Sequence, residues 1–248
     1  MKKTVLHDEH GLQWLVFGRD SGKSEAVVDT NEYLIISNGD AMLLDPGGIE
    51  VFPPVLAAIS EVTDLDKIVA YLCSHQDPDI MSSLPLWLDL TPSAKIHLSW
   101  IWSGFVSHFG HEYAANFNAI PDEGGICIVG GREFQFVPAH YCHSSGNFNL
   151  FCKESRILFS GDLGAALLPE NYAMVVDDFG KHIQYMEGFH KRWMPSNEAK
   201  NIWVHRVRKL NPRMICPQHG AIFKDEHVGE FLDWLEDLEV GKTNKFAA

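Results

Sequence analysis

The chain has 248 residues, enough for one large α/β domain or two small ones and for a sizeable core without disulfides. Its 46% hydrophobic and 21% charged residues are ordinary for a soluble globular protein. The formal charge of −13 excludes a general binder of nucleic acid or of an anionic membrane, whose phosphates would repel it.

The N-terminus, Met1-Lys2-Lys3-Thr4, leads to His7-Asp8-Glu9-His10 rather than to an apolar signal core, so no secretion signal is read. Short β-like runs follow at Leu12–Phe17, Tyr33–Ile36 and Ala41–Leu44, with Asn38-Gly39-Asp40 a hairpin turn between the last two. Asp45-Pro46-Gly47-Gly48 ends the third run, where Asp45 is expected to cap the turn. Val51 to Val62 has helical spacing. Lys67–Leu72 reads as a buried strand, Leu84–Leu88 as part of a helical excursion, and Lys95–Leu98 as another buried strand. Trp100 to His108 is helix-like, and His108 and His111 read as surface or pocket-wall residues. Gly130-Gly131 separates strands at Ile126–Val129 and Glu133–Val137. Strands at Phe148–Cys152 and Arg156–Phe159 precede helices at Lys181–Trp193 and Asn197–Leu210. A last strand, Arg213–Cys216, leads to a helix from about Glu226 to Leu238. Strand groups alternating with helices in two successive halves suggest two sheets sandwiched by helices. No apolar run reaches membrane-spanning length. The cysteines Cys73, Cys127, Cys142, Cys152 and Cys216 are odd in number and scattered. They read as reduced, packed thiols of a cytoplasmic protein.

The stretch Ser74-His75-Gln76-Asp77-Pro78-Asp79-Ile80 follows the apolar run Ile68–Leu72. In an extended chain alternate residues share a face, so His75, Asp77 and Asp79 can converge at a strand end. Pro78 is expected to stop the segment from continuing as a strand or starting a helix there. An imidazole with two carboxylates suits iron, manganese or zinc, while a polar loop capping a helix near Ile80 explains the same residues. Three further loops share the pattern of an apolar strand ending in an acid or imidazole: His140, Asp162 and His219. Glycines beside Asp162 and His219 permit close backbone approach. Together these three His and three Asp suffice for two metal ions with one bridging carboxylate.

His-x-Asp-x-Asp after a strand, Pro138-Ala139-His140-x-x-His143-Ser144-x-Gly146, Phe159-Ser160-Gly161-Asp162 and Pro217-Gln218-His219-Gly220 resemble the metallo-β-lactamase fold. Asn31-x-Tyr33 and Leu44-Asp45-Pro46-Gly47 match its start. The resemblance spans nearly the whole chain and implies an α/β fold, an αββα sandwich of that type as a single domain over residues 1–248. Hydrolases of the superfamily usually read His-x-His-x-Asp-His. A carboxylate at the second position, here Asp77 where Glu is usual, marks the flavodiiron branch. Within that branch the chain is similar to the oxygen-binding diiron proteins, which lack the flavodoxin domain. By that similarity one iron takes His75, Asp77 and His140, the other takes Asp79 and His219, and Asp162 bridges them. Manganese or zinc are the other metals for this set, and the carboxylate favours iron or manganese over zinc. Ile80 replaces the His that holds the second zinc in two-zinc hydrolases, leaving positions open for dioxygen or nitric oxide. His143 is expected to orient a ligand or line the pocket. Tyr172 either reaches the pocket or is a half-buried residue with a satisfied hydroxyl.

The implied function is a non-haem diiron protein that binds and is oxidised by dioxygen, an oxygen sensor or carrier with a signalling or redox protein as partner. No Gly-rich phosphate loop marks a flavin site, and the chain ends one helix after His219, so rapid turnover would need a separate reductase. Two alternatives stay open: an oxygen or nitric oxide reductase core served by such a donor, and a metal-dependent hydrolase using a bridging hydroxide. Nucleic acid and membrane are not expected as partners, and oligomeric state is left open.

Overall fold

The computed structural model describes residues 1–18, 28–169 and 172–242. The chain falls into two units, Met1–Phe136 and Val137–Ala248. In the first, β1 (Lys2–Glu9), β2 (Leu12–Gly18), β3 (Glu32–Ser37), β4 (Asp40–Leu44), β5 (Ile68–Leu72), β6 (Lys95–Ser99) and β7 (Phe117–Ile120) form a sheet in sequence order. The first four strands pair antiparallel, and the β1–β2 and β3–β4 hairpins turn at His10-Gly11 and Asn38-Gly39, which take the positive φ that two-residue hairpins need. From β4 to β7 the pairing is parallel and needs crossovers. These carry α1 (Phe52–Ser60), α2 (Pro78–Met81), α3 (Leu84–Leu90) and α4 (Trp100–Val106). Leu43, Val55, Ile59, Tyr71, Ile80 and Trp87 share one apolar core, where the Trp87 indole donates to the Pro46 carbonyl at 3.2 Å.

The strands β8 (Gly125–Val129) and β9 (Arg132–Pro138) form the hairpin expected around Gly130-Gly131. Both glycines have positive φ, and a side chain at Gly130 would overlap the Ser37 carbonyl. The Asn38 amide donates to the Gly130 carbonyl at 2.7 Å and fixes that approach.

In the second unit β10 (Phe148–Cys152), β11 (Ile157–Gly161), β12 (Met214–Pro217) and β13 (Phe223–Lys224) lie in the order β13-β12-β11-β10. Only β11 and β12 among these neighbours are parallel. The helices are α5 (Phe179–Trp193), α6 (Asn197–Leu210) and α7 (Glu226–Asp237). Their ends follow local chemistry. The Asp178 carboxylate accepts from the Lys181 N–H at 3.0 Å and Ser196 Oγ from the Ala199 N–H at 3.1 Å, while Asn211 closes α6 in the left-handed region. Trp203, Phe223 and Phe231 centre this unit's core, the two phenylalanine rings stacked at 4.4 Å. Lys200, almost fully buried, donates from Nζ to the Leu235 and Glu236 carbonyls and so caps the end of α7.

Two points differ from the sequence expectations. The polar run Lys2–Glu9 is an outer strand, β1, and Phe117–Ile120 and Phe223–Lys224 are short strands. Pro78 does not prevent a helix: it occupies the first turn of α2, where a missing N–H costs nothing. Among the described residues no helix is long and apolar enough to cross a membrane.

Candidate functional site

In the first unit the candidate donors follow β5. Asp45, at the end of the neighbouring β4, reaches across to the loop after β5. Its carboxylate accepts from the Ser74 N–H at 2.7 Å through Oδ1 and from the Ser74 hydroxyl at 2.7 Å through Oδ2. Ser74 Oγ lies 2.9 Å from His75 Nδ1. The hydroxyl has one proton and gives it to Asp45, so it accepts from His75 Nδ1–H. That chain of bonds assigns the tautomer of His75 and turns Nε2, with its lone pair, toward the donor side. His75 Nε2 stands 3.5 Å from Asp77 Oδ2.

Asp77 occupies the N-cap position of α2, yet its side chain makes no cap bond; Oδ1 accepts from the Gln76 amide at 3.0 Å. Asp79 lies half-buried in the first turn of α2. Ile80 is fully buried in the first unit's core. His108 is exposed, and the side chain of His111 lies outside the described ones.

In the second unit, residues 139–147 form a loop closed on itself. Ala139 N–H donates to Asn147 O at 2.9 Å, Tyr141 N–H to Ser144 O at 2.7 Å and Cys142 N–H to Ala139 O at 3.0 Å. It presents His140, packed edge-on against Phe148 at 5.0 Å, and His143. His143 Nε2 is 2.8 Å from Asp162 Oδ2, and His219 Nε2 is 3.5 Å from Asp162 Oδ1. The structure therefore gathers two imidazoles on the buried Asp162 carboxylate. The loops after β11 and β12 are bound together: Gln218 N–H donates to Gly161 O at 2.8 Å and Ala166 N–H to His219 O at 3.2 Å.

The Tyr172 hydroxyl lies 3.2 Å from His182 Nδ1, and its ring packs on His182 and Tyr185. Burial, followed by the charge of Asp177, pushes its phenol above the ordinary range.

The sequence reading missed several neighbours. Ser74 and Asp45 orient His75. From the last turns of α5, Trp193 lies 5.3 Å from the His143 ring and Phe189 lies 6.3 Å from the His219 ring. Phe189 and Trp193 lie ring to ring, tilted and 5.8 Å apart, at i, i+4 spacing, the signal that could have found them.

The chemistry of the donor set fits hard or borderline divalent ions, since it offers imidazole and carboxylate but no thiolate. Cys142, between the two loop histidines, is pushed up to about 12 by burial. Cys73 is raised as well, first by burial and then by the charge of Asp45. All five thiols are free and buried.

A sequence profile of the family described as ODP family beta lactamase matches residues 28–220. A solved structure described as the peroxy diiron species of the chemotaxis sensor ODP is 41% identical to this chain, covers 97% of both chains and superposes with a TM-score of 0.87. The apo state of the chemotaxis sensor ODP from T. denticola is 42% identical over 97% of this chain and 96% of that one, again with a TM-score of 0.87. A flavo di-iron protein from Thermotoga maritima shares the fold at 20% identity and a TM-score of 0.80, and this chain spans 61% of it. An uncharacterized protein of Methanocaldococcus jannaschii is 23% identical over 240 residues; this chain spans about half of it, 54%. The mixed α/β architecture with two sheets is the metallo-β-lactamase fold these matches share.

Proposed function

Because the chain belongs to the ODP family of beta-lactamase-fold proteins, we propose that it is a non-haem diiron protein that binds dioxygen, is oxidised by it, and serves as an oxygen sensor or carrier. The observation that carries this reading is the likeness, at 41% identity over 97% of each chain, to a chemotaxis sensor known with a peroxy diiron species. His75, Asp77 and His140 would hold one iron, Asp79 and His219 would hold the other, and Asp162 would be shared between them. A ferrous pair supplies two electrons to dioxygen, chemistry that no side chain of this protein offers alone.

The protein's own residues orient and shield. Asp45 and Ser74 hold His75 in the tautomer whose Nε2 would bind metal. His143 donates to Asp162 from Nε2. The Phe189–Trp193 pair covers the imidazoles of His219 and His143 with apolar surface, which keeps water from them. A signalling or redox protein receives the oxidation state, and the five free thiols suit the reducing cytoplasm.

Anaerobic loading with ferrous iron tests the reading. Two irons per chain and a new charge-transfer absorption on admission of air support it. A colourless protein that takes only zinc overturns it. Steady oxygen consumption with an added flavoprotein reductase moves the assignment to the reductase alternative. Within the site, Asp162→Ala loses both metals, whereas Asp79→Ala loses mainly one. Full occupancy of both positions in Asp162→Ala rules out the bridge.

A further inference from the structure

Asp162 begins a tight turn. Its carbonyl accepts from the Ala165 N–H at 3.0 Å, and Gly164, the third residue, has φ +96. Those are the marks of a type II turn, which needs a positive φ near +80 at that position. Types I and II differ in the orientation of the middle peptide, here Leu163–Gly164. Both ends of that peptide are gripped from outside the turn. The Ser160 hydroxyl donates to the Leu163 carbonyl at 2.6 Å, and the Gly164 N–H donates to His190 Nε2 at 3.0 Å. His190 is fully buried on α5, and its Nδ1–H donates to the Met186 carbonyl at 2.9 Å, which leaves Nε2 as an acceptor. Burial lowers this imidazole to about 4, so it stays neutral and keeps that acceptor.

We propose that His190 is a positioning residue for Asp162: with Ser160 it clamps the middle peptide of the turn and thereby fixes where the carboxylate stands between its metals. The proposal rests on the reading of Asp162 as a metal ligand, but the clamp itself can be measured without metal. A bridging carboxylate has to meet two ions at once, so a rotation of its turn loosens one of them. Without an acceptor at His190 the middle peptide can flip, because Gly164 is comfortable on either side of φ space. In the hydrogen bonds described, His190 reaches the turn through the Gly164 backbone N–H.

The test compares His190→Phe, which fills the space but cannot accept, with His190→Gln, whose amide oxygen can accept near the position of Nε2. In metal-free, 15N-labelled protein, hydrogen exchange at the Gly164 amide is expected to rise about tenfold in His190→Phe, the loss of one hydrogen bond's protection. In iron-loaded protein the same variant is expected to bind the more weakly held iron ~10- to 100-fold less tightly and to lose magnetic coupling between the irons. His190→Gln keeps both properties near wild type. A folded His190→Phe with unchanged Gly164 exchange and unchanged iron coupling overturns the proposal, as does a His190→Gln as impaired as His190→Phe. Where His190→Phe does not fold, Ser160→Ala decides, since it releases the other end of the same peptide; wild-type coupling there overturns the clamp. A wild-type chain that takes no iron defeats the diiron reading, and the Gly164 exchange then still decides the clamp.

Discussion

Replacing Asp45 by Asn changes one atom of a buried relay and should reverse the polarity of everything beyond it. Asp45 is only 1% exposed and accepts two bonds of 2.7 Å from Ser74. Asn keeps the size, and it tolerates the positive φ of 43 at this position, so backbone strain does not intrude. The bond from the Ser74 N–H survives, because Oδ1 must stay as its acceptor. The second position then becomes an NH2 that donates to Ser74 Oγ. The hydroxyl proton is released toward His75 Nδ1, and the imidazole is driven to the tautomer that carries its proton on Nε2. One charge-assisted bond is exchanged for a neutral one and another is reversed, which costs about 1–3 kcal/mol. For a chain of this length that is a fall in Tm of roughly 2–4 °C per kcal/mol. Iron affinity should fall ~10- to 100-fold, as for other losses of a group that orients a metal ligand. Long-range 15N–1H correlation spectra of the imidazole in metal-free protein report the tautomer directly, and competition with a chelator reports the affinity. A variant that retains Nδ1–H on His75 together with wild-type iron affinity refutes the relay.

Two further outcomes are expected. Burial lowers His97 and His190 from 6.5 to about 4, so between those values the unfolded chain takes up protons that the fold refuses. Stability of metal-free protein therefore rises with pH across that window, is flat above it, and has lost the whole contribution below about 4. Each imidazole contributes on the order of 3 kcal/mol at most. Urea midpoints measured across the window should follow that slope, and His97→Phe should remove its own share of it. Lys200→Met leaves the final carbonyls of α7 without their buried donor, and should cost about 2–4 kcal/mol by the same denaturation.

The architecture was legible because its strands are short apolar runs ending at Gly, Pro, Asp or His, and the donor residues sit at those ends. Helix α6 keeps the bounds read from the sequence, Asn197–Leu210, and the structure shows local caps at both ends, Ser196 and Asn211. What escaped was set by distant partners. Lys2–Glu9 is too polar to announce a strand, and it becomes one only by pairing with β2. Pro78 was misjudged because a proline that blocks a helix interior is welcome in its first turn. Asp45 was read only as a local cap, and its bonds to Ser74, 29 residues away, carried no sequence signal. In the same way His143 could be assigned a supporting part from its spacing, but not the carboxylate it would touch. His190 carried no visible signal beyond its place on the apolar stripe of α5.

The two loops that follow β11 and β12 are stitched to each other by backbone bonds, Gln218 to Gly161 and Ala166 to His219. Mechanically they are one part with two prongs. Grafting either loop alone from a relative would place the seam across a shared backbone bond. The pair is the smallest cassette that can be exchanged, and chimaeras that respect this should keep the spacing between their prongs whatever chemistry the tips carry.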